Sequence, residues 1–168
     1  MRKIIAVVLG LMSGSALPAV GGDIWLQATH FNSARKASPT TGGDDFHTLV
    51  HEIGHALGLK HSFESPNALP TNLDNYFYSV MSYSARTPGD SGTASYMPTT
   101  PMYYDLLGIQ ALYGRNPSHN AGNTTHTFVE GQRYFQTIDD ASGIDRILYN
   151  GAKPVVIEDT SDTWGHNT

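Results

Sequence analysis

The sequence predicts an α+β fold built around one strongly marked helix. Three observations carry this: a helical His-Glu-x-x-His run at residues 51–55, a second apolar helix opening at Thr100-Pro101, and a change to short alternating runs after Arg115. The segment 51–61 reads HEIGHALGLKH, with three histidines, one glutamate and one glycine at fixed spacing. With this chain's own residue frequencies, such a coincidence has odds on the order of one in ten thousand or less.

The elements follow in order. Residues 23–27 read as a strand and residues 32–43 as a loop. Asp44 or Asp45 is placed to cap the first helix, which runs to about Leu57 and stops at Gly58. His51 and His55, four apart, leave one helix face a turn apart. Glu52 lies beside them, where a carboxylate can take a proton from a metal-bound water. Gly58 permits a positive-φ exit that swings His61 back as a third ligand. The pattern reads as a zinc site. His47 is a competing ligand on paper, but eight helical residues span about 12 Å while Zn–N bonds are about 2 Å. One ion cannot take His47, His51 and His55 together, and His47 reads as a first-turn surface residue. An iron site of two histidines and a carboxylate needs Glu52 as a ligand, yet it points about 100° away from His51 around the helix.

Residues 62–75 form a loop broken by Pro66 and Pro70, and residues 86–99 form another. The second helix carries apolar Leu106, Leu107, Ile109 and Leu112 and ends near Gly114. Asp105, in its first turn, complements the helix dipole. Beyond Arg115, residues 125–130, 133–138, 144–149 and 155–158 are candidate strands. Asp139, Asp140 and Asp145 near Gly143 read as a solvated acidic turn, and calcium ligation there is unsupported. Asn123-Thr124-Thr125 matches a glycosylation acceptor, a weak signal.

Ser79-Val80-Met81-Ser82-Tyr83 follows, with Met81 twenty positions after His61. With this turn the chain resembles the metzincin zinc endopeptidases, and among them the serralysin-like members of peptidase family M10. The narrower resemblance rests on residues 22–26 (GDIWL), the turn at residues 78–83, and residues 101–116 (PMYYDLLGIQALYGRN). The resemblance implies a zinc-dependent endopeptidase acting on peptide or protein substrates. His51, His55 and His61 would be its zinc ligands, Glu52 its general base and Met81 the floor of the site. Tyr83 would be a further zinc ligand that swings away when substrate binds. The second helix would pack beneath the Met81 turn. Astacins carry a Glu and an Arg after the third histidine that are missing here, and matrixins reach their turn over a shorter span.

The resemblance also implies a long helix and most of a twisted sheet ahead of residue 23. The reading is therefore of a partial catalytic domain over residues 21–116, either a fragment or one completed by a missing N-terminal segment or partner chain. The alternative function is a catalytically incompetent zinc-binding remnant. Residues 117–168 would start a β-rich C-terminal domain, and the family's Gly-Gly-x-Gly-x-Asp calcium repeat does not occur in them.

Composition agrees. At 168 residues the chain supports one core rather than two large domains. A net charge of -5 argues against a nucleic-acid partner, and the lack of cysteine excludes disulfides and Cys-ligated zinc. Seventeen glycines and nine prolines suit a loop-rich enzyme. Residues 1–20 read as a signal peptide: Arg2 and Lys3, an apolar run over residues 4–12, then small residues with Ala16 and Ala19 as cleavage positions. That run is far short of the roughly twenty residues a membrane span needs. A secreted location without stable membrane insertion is expected.

Overall fold

The structure, a computed structural model, describes Ile24, residues 41–84 and residues 96–154. The expected signal peptide, nearly all of the strand at residues 23–27, most of the loop at residues 86–99 and the strand at residues 155–158 lie outside the described residues. Within them the chain forms helix α1 (Asp44–Ala56), helix α2 (Tyr103–Tyr113) and strands β1 (Thr125–Val129) and β2 (Arg146–Asn150). The mixture of helix and strand is the one the sequence predicts.

Helix α1 begins differently from expectation. Its N-cap is Gly43, with no side-chain cap, while Asp44 and Asp45 fall in the first turn. There they favour the positive end of the helix dipole instead of supplying the cap. The C-terminus follows the sequence closely. Leu57 is the C-cap and Gly58 takes φ 94°. The Leu59 amide donates to the Gly54 carbonyl at 3.0 Å and the Gly58 amide to the His55 carbonyl at 2.9 Å. These two bonds are the Schellman pattern, which satisfies the last helical carbonyls and turns the chain back.

A small core of Val80, Met81 and Met102 lies between α1 and α2, flanked by Val50, Leu59 and Phe135. Helix α2 meets it through its N-terminal end, not through the whole apolar face expected. Leu107 and Leu112 stay exposed. The side that packs is close: a Cβ on Gly108 would meet Leu59 Cδ2 at 2.8 Å.

β1 and β2 pair in parallel, Thr125 opposite Arg146 through Val129 opposite Asn150, and Ala121 bridges Ser142 ahead of them. Parallel strands need a crossover connection. Residues 133–138 supply part of it and form no strand; Phe135 instead accepts a hydrogen bond from the Thr99 amide at 2.8 Å. The acidic turn does more than face solvent. Asp145 accepts the Thr124 amide hydrogen at 2.9 Å, and Asp140 lies 3.3 Å from His126 Nε2.

Candidate metal centre

The structure brings His51, His55, His61 and Tyr83 together. One ligand atom from each histidine lies within 4.8 Å of the others. Each ring is held by its Nδ1. His51 Nδ1 is 2.7 Å from the Val80 carbonyl, His55 Nδ1 is 2.9 Å from the Leu59 carbonyl, and His61 Nδ1 is 2.7 Å from Glu64 Oε1. Every partner is an acceptor, so each neutral ring carries its proton on Nδ1 and keeps an Nε2 lone pair for the common space. Outer partners of this kind are what metal-bound histidines use.

The spacing of the lone pairs fits a divalent cation. His55 Nε2 and His61 Nε2 are 3.2 Å apart. Two acceptors that close repel unless an electrophile lies between them. Tetrahedral zinc with Zn–N bonds of about 2.0–2.1 Å sets its ligands roughly 3.3 Å apart. Burial supports the same chemistry, since it pushes His51 down to about 4 and keeps the ring neutral at physiological pH.

Tyr83 lies at the open side. Its hydroxyl donates to His61 Nε2 at 2.6 Å, and its ring lies 5.7 Å from that of His51 between centroids, 30° between planes. Burial and the nearby Glu52 and Glu64 carboxylates raise its pKa, so the phenol keeps its proton. Glu52 projects from α1 with Oε2 buried and without a hydrogen-bond partner among the described residues. A carboxylate oxygen in that state is poised for a guest donor such as water.

His47 departs from expectation. It is 6 % exposed, not a surface residue, and packs its ring 4.5 Å from that of Tyr76. The distance argument still separates it from the triad, whose members do not include it. Tyr76 covers this part of α1 more fully than periodicity alone implies.

Three residues to which the sequence reading gave no part in the centre organise it. Asp105, buried, accepts hydrogen bonds from Ser79 Oγ at 2.6 Å, the Val80 amide at 2.8 Å and the Met102 amide at 2.7 Å. It thus closes a capping box on α2 and fastens the Met81 turn with the same carboxylate. Burial raises its pKa, and those hydrogen bonds oppose the rise. Gly54 is the second: a Cβ there would lie 2.5 Å from Met81 Sδ. Only glycine lets α1 sit this close to Met81, which is 2 % exposed. Glu64 is the third, and its carboxyl is held below the usual value by the His61 hydrogen bond. A carboxylate three residues after the third histidine of the motif was the available signal.

Comparison with known proteins agrees with this geometry. The matrixin model of the M10 peptidases matches residues 9–82, from the leader-like run through the Met81 turn. The chain is 31% identical over 135 residues to serralysin B of Dickeya chrysanthemi and 36% identical over 103 residues to metalloprotease AprA of Pseudomonas entomophila (strain L48). It is 26% identical over 157 residues to the serralysin of Proteus mirabilis. The chain is a serralysin-like member of peptidase family M10.

These alignments cover 73%, 54% and 89% of this M10 chain, but only 27%, 21% and 30% of the respective relatives. The chain therefore spans less than a third of the length of these serralysin-type relatives. The histidine triad falls inside the segment that the matrixin model matches. Among the described residues no helix is long and apolar enough to cross a membrane.

Proposed function

We propose that the chain is a zinc-dependent endopeptidase, secreted by way of a signal peptide at residues 1–20 and acting on peptide or protein substrates. The single observation that carries the reading is the convergence of the three histidines, each ring fixed through Nδ1. Family membership and the serralysin-type relatives support it. His51, His55 and His61 would hold the zinc through Nε2, with Met81 as the floor. Bound zinc supplies a Lewis acid that lowers the pKa of water towards 7 and polarises the scissile carbonyl.

The protein's own groups do the rest. Glu52 is adjacent to the ligands in sequence, and its unpartnered Oε2 accepts a hydrogen bond from the attacking water. As the water oxygen forms its bond to the carbonyl carbon, Glu52 takes the proton; it then delivers that proton to the nitrogen of the departing amine as the C–N bond breaks. The Tyr83 hydroxyl rests on His61 Nε2 only while no cation takes that lone pair; freed from it, the phenol keeps its proton and donates to the developing oxyanion.

The test is Glu52→Gln in the full chain, with zinc content by elemental analysis and cleavage of casein. The reading expects zinc retained at one equivalent and cleavage lost. Casein cleavage at the wild-type rate would remove Glu52 as the base. A folded, zinc-loaded wild-type chain that cleaves no unfolded substrate would point to a metal-binding remnant instead.

A further inference from the structure

The three histidines are not steadied in the same way. His51 and His55 are on α1, and their Nδ1 atoms are held by the backbone carbonyls of Val80 and Leu59. His61 stands beyond the helix, on a loop, and its Nδ1 partner is a carboxylate, Glu64 Oε1 at 2.7 Å. That loop is closed on itself. The Lys60 ammonium donates to the carbonyls of Glu64 and Pro66, and the Glu64 amide donates to the His61 carbonyl at 3.1 Å. Phe63 lies parallel to the His61 ring, 3° between planes and 5.0 Å between centroids.

We propose that Glu64 is a positioning residue for the metal: its carboxylate, kept in place by the Lys60 closure, orients the His61 ring and strengthens Nε2 as a donor to the cation. The inference rests on the metal-site reading above. His61 has no helix to fix its rotamer, so a side-chain partner must supply the orientation that α1 gives the other two. A negative partner does a second thing that a carbonyl does less well. The hydrogen bond from Nδ1–H is charge-assisted, and electron density pushed into the ring makes the opposite nitrogen more basic. The ligand least restrained by the fold thus has the strongest outer partner.

The experiment measures zinc affinity of the full chain by competition with a chromophoric chelator, for wild type, Glu64→Gln, Glu64→Ala and His55→Ala. A denaturant midpoint is taken for each protein without metal. Losing an outer partner typically weakens metal affinity about 10–100-fold. Glu64→Ala is expected to lose affinity in that range with its metal-free midpoint unchanged. Glu64→Gln is expected to fall between, because the amide oxygen still accepts from Nδ1 but the charge is gone. Wild-type affinity in Glu64→Ala, alongside a clear loss in His55→Ala, would overturn this proposal and leave the metal site standing. A fall in the metal-free midpoint of Glu64→Ala that accounts for its loss of affinity would also overturn it, as a merely structural role. Failure of the wild type to bind zinc would overturn both readings.

Discussion

Asp105 and Val80 are joined by a hydrogen bond of 2.8 Å from the Val80 amide to the carboxylate, and the carbonyl of the same Val80 lies 2.7 Å from His51 Nδ1. One residue of the turn therefore links α2 to a histidine of the triad on α1. Asp105→Ala leaves the Val80 and Met102 amides and the Ser79 hydroxyl without their acceptor in a buried place. The expected cost is about 3 kcal/mol, read as a lower urea midpoint, together with weaker zinc binding. An unchanged midpoint would show that the turn is held by other means.

Gly54 faces Met81 with no room for a side chain. Gly54→Ala would gain about 1 kcal/mol of helix propensity on an open helix. Here the new methyl meets Met81 Sδ at 2.5 Å, and overpacking of this kind costs about 1–3 kcal/mol. Net destabilisation is expected, with partial recovery in the double variant Gly54→Ala, Met81→Ala. Additive losses in that double-mutant cycle would show that the two positions do not compete for space.

His47 gives the fold a pH dependence. Burial lowers it to about 4 from 6.5, against the opposing pull of Asp44, and Tyr76 and His51 are its ring neighbours. The unfolded chain takes up a proton near pH 6.5 and the folded chain does not until about 4. Stability is thus full above 6.5 and falls as pH drops through this window. The loss is about 3 kcal/mol at its lower end. Its Nε2 has no hydrogen-bond partner among the described residues, so His47→Leu removes an unsatisfied polar atom. That variant, stripped of metal, should show a shallower decline in denaturant midpoint between pH 6.5 and 4. A decline as steep as the wild type's would locate the titration elsewhere.

Tyr83 donates to His61 at the open side of the centre. Tyr83→Phe removes the proposed oxyanion donor while leaving the three imidazoles in place. A drop in kcat of about a hundredfold with zinc content unchanged is expected. Equal kcat would limit Tyr83 to the resting site.

How far the sequence revealed this centre depends on how local each signal was. Helix α1, its stop at Gly58 and the return of His61 follow from spacing within eleven residues, where 3.6-residue periodicity and one glycine suffice. The burial of His47 was not legible, because Tyr76 covers it from 29 positions away. Asp105 was read as a dipole partner because its contacts to Ser79 and Val80 cross a gap in sequence that no local pattern encodes. The expected strand at residues 133–138 failed for the same reason. Its alternation is real, but its backbone partners are Thr99 and Thr100 rather than a neighbouring strand.

Val80 and Met81 offer consecutive carbonyls. The first takes the ring of His51 at 2.7 Å; the second accepts the amide of Ser62, next to His61, at 3.2 Å. Consecutive Cα atoms across a trans peptide are 3.8 Å apart and that length hardly stretches. Helix and loop are thus both pinned to marks on one covalent ruler. Motion that shifts the turn carries His51 and the residue beside His61 together. Neighbouring links of one backbone thus tether both sides of the histidine triad.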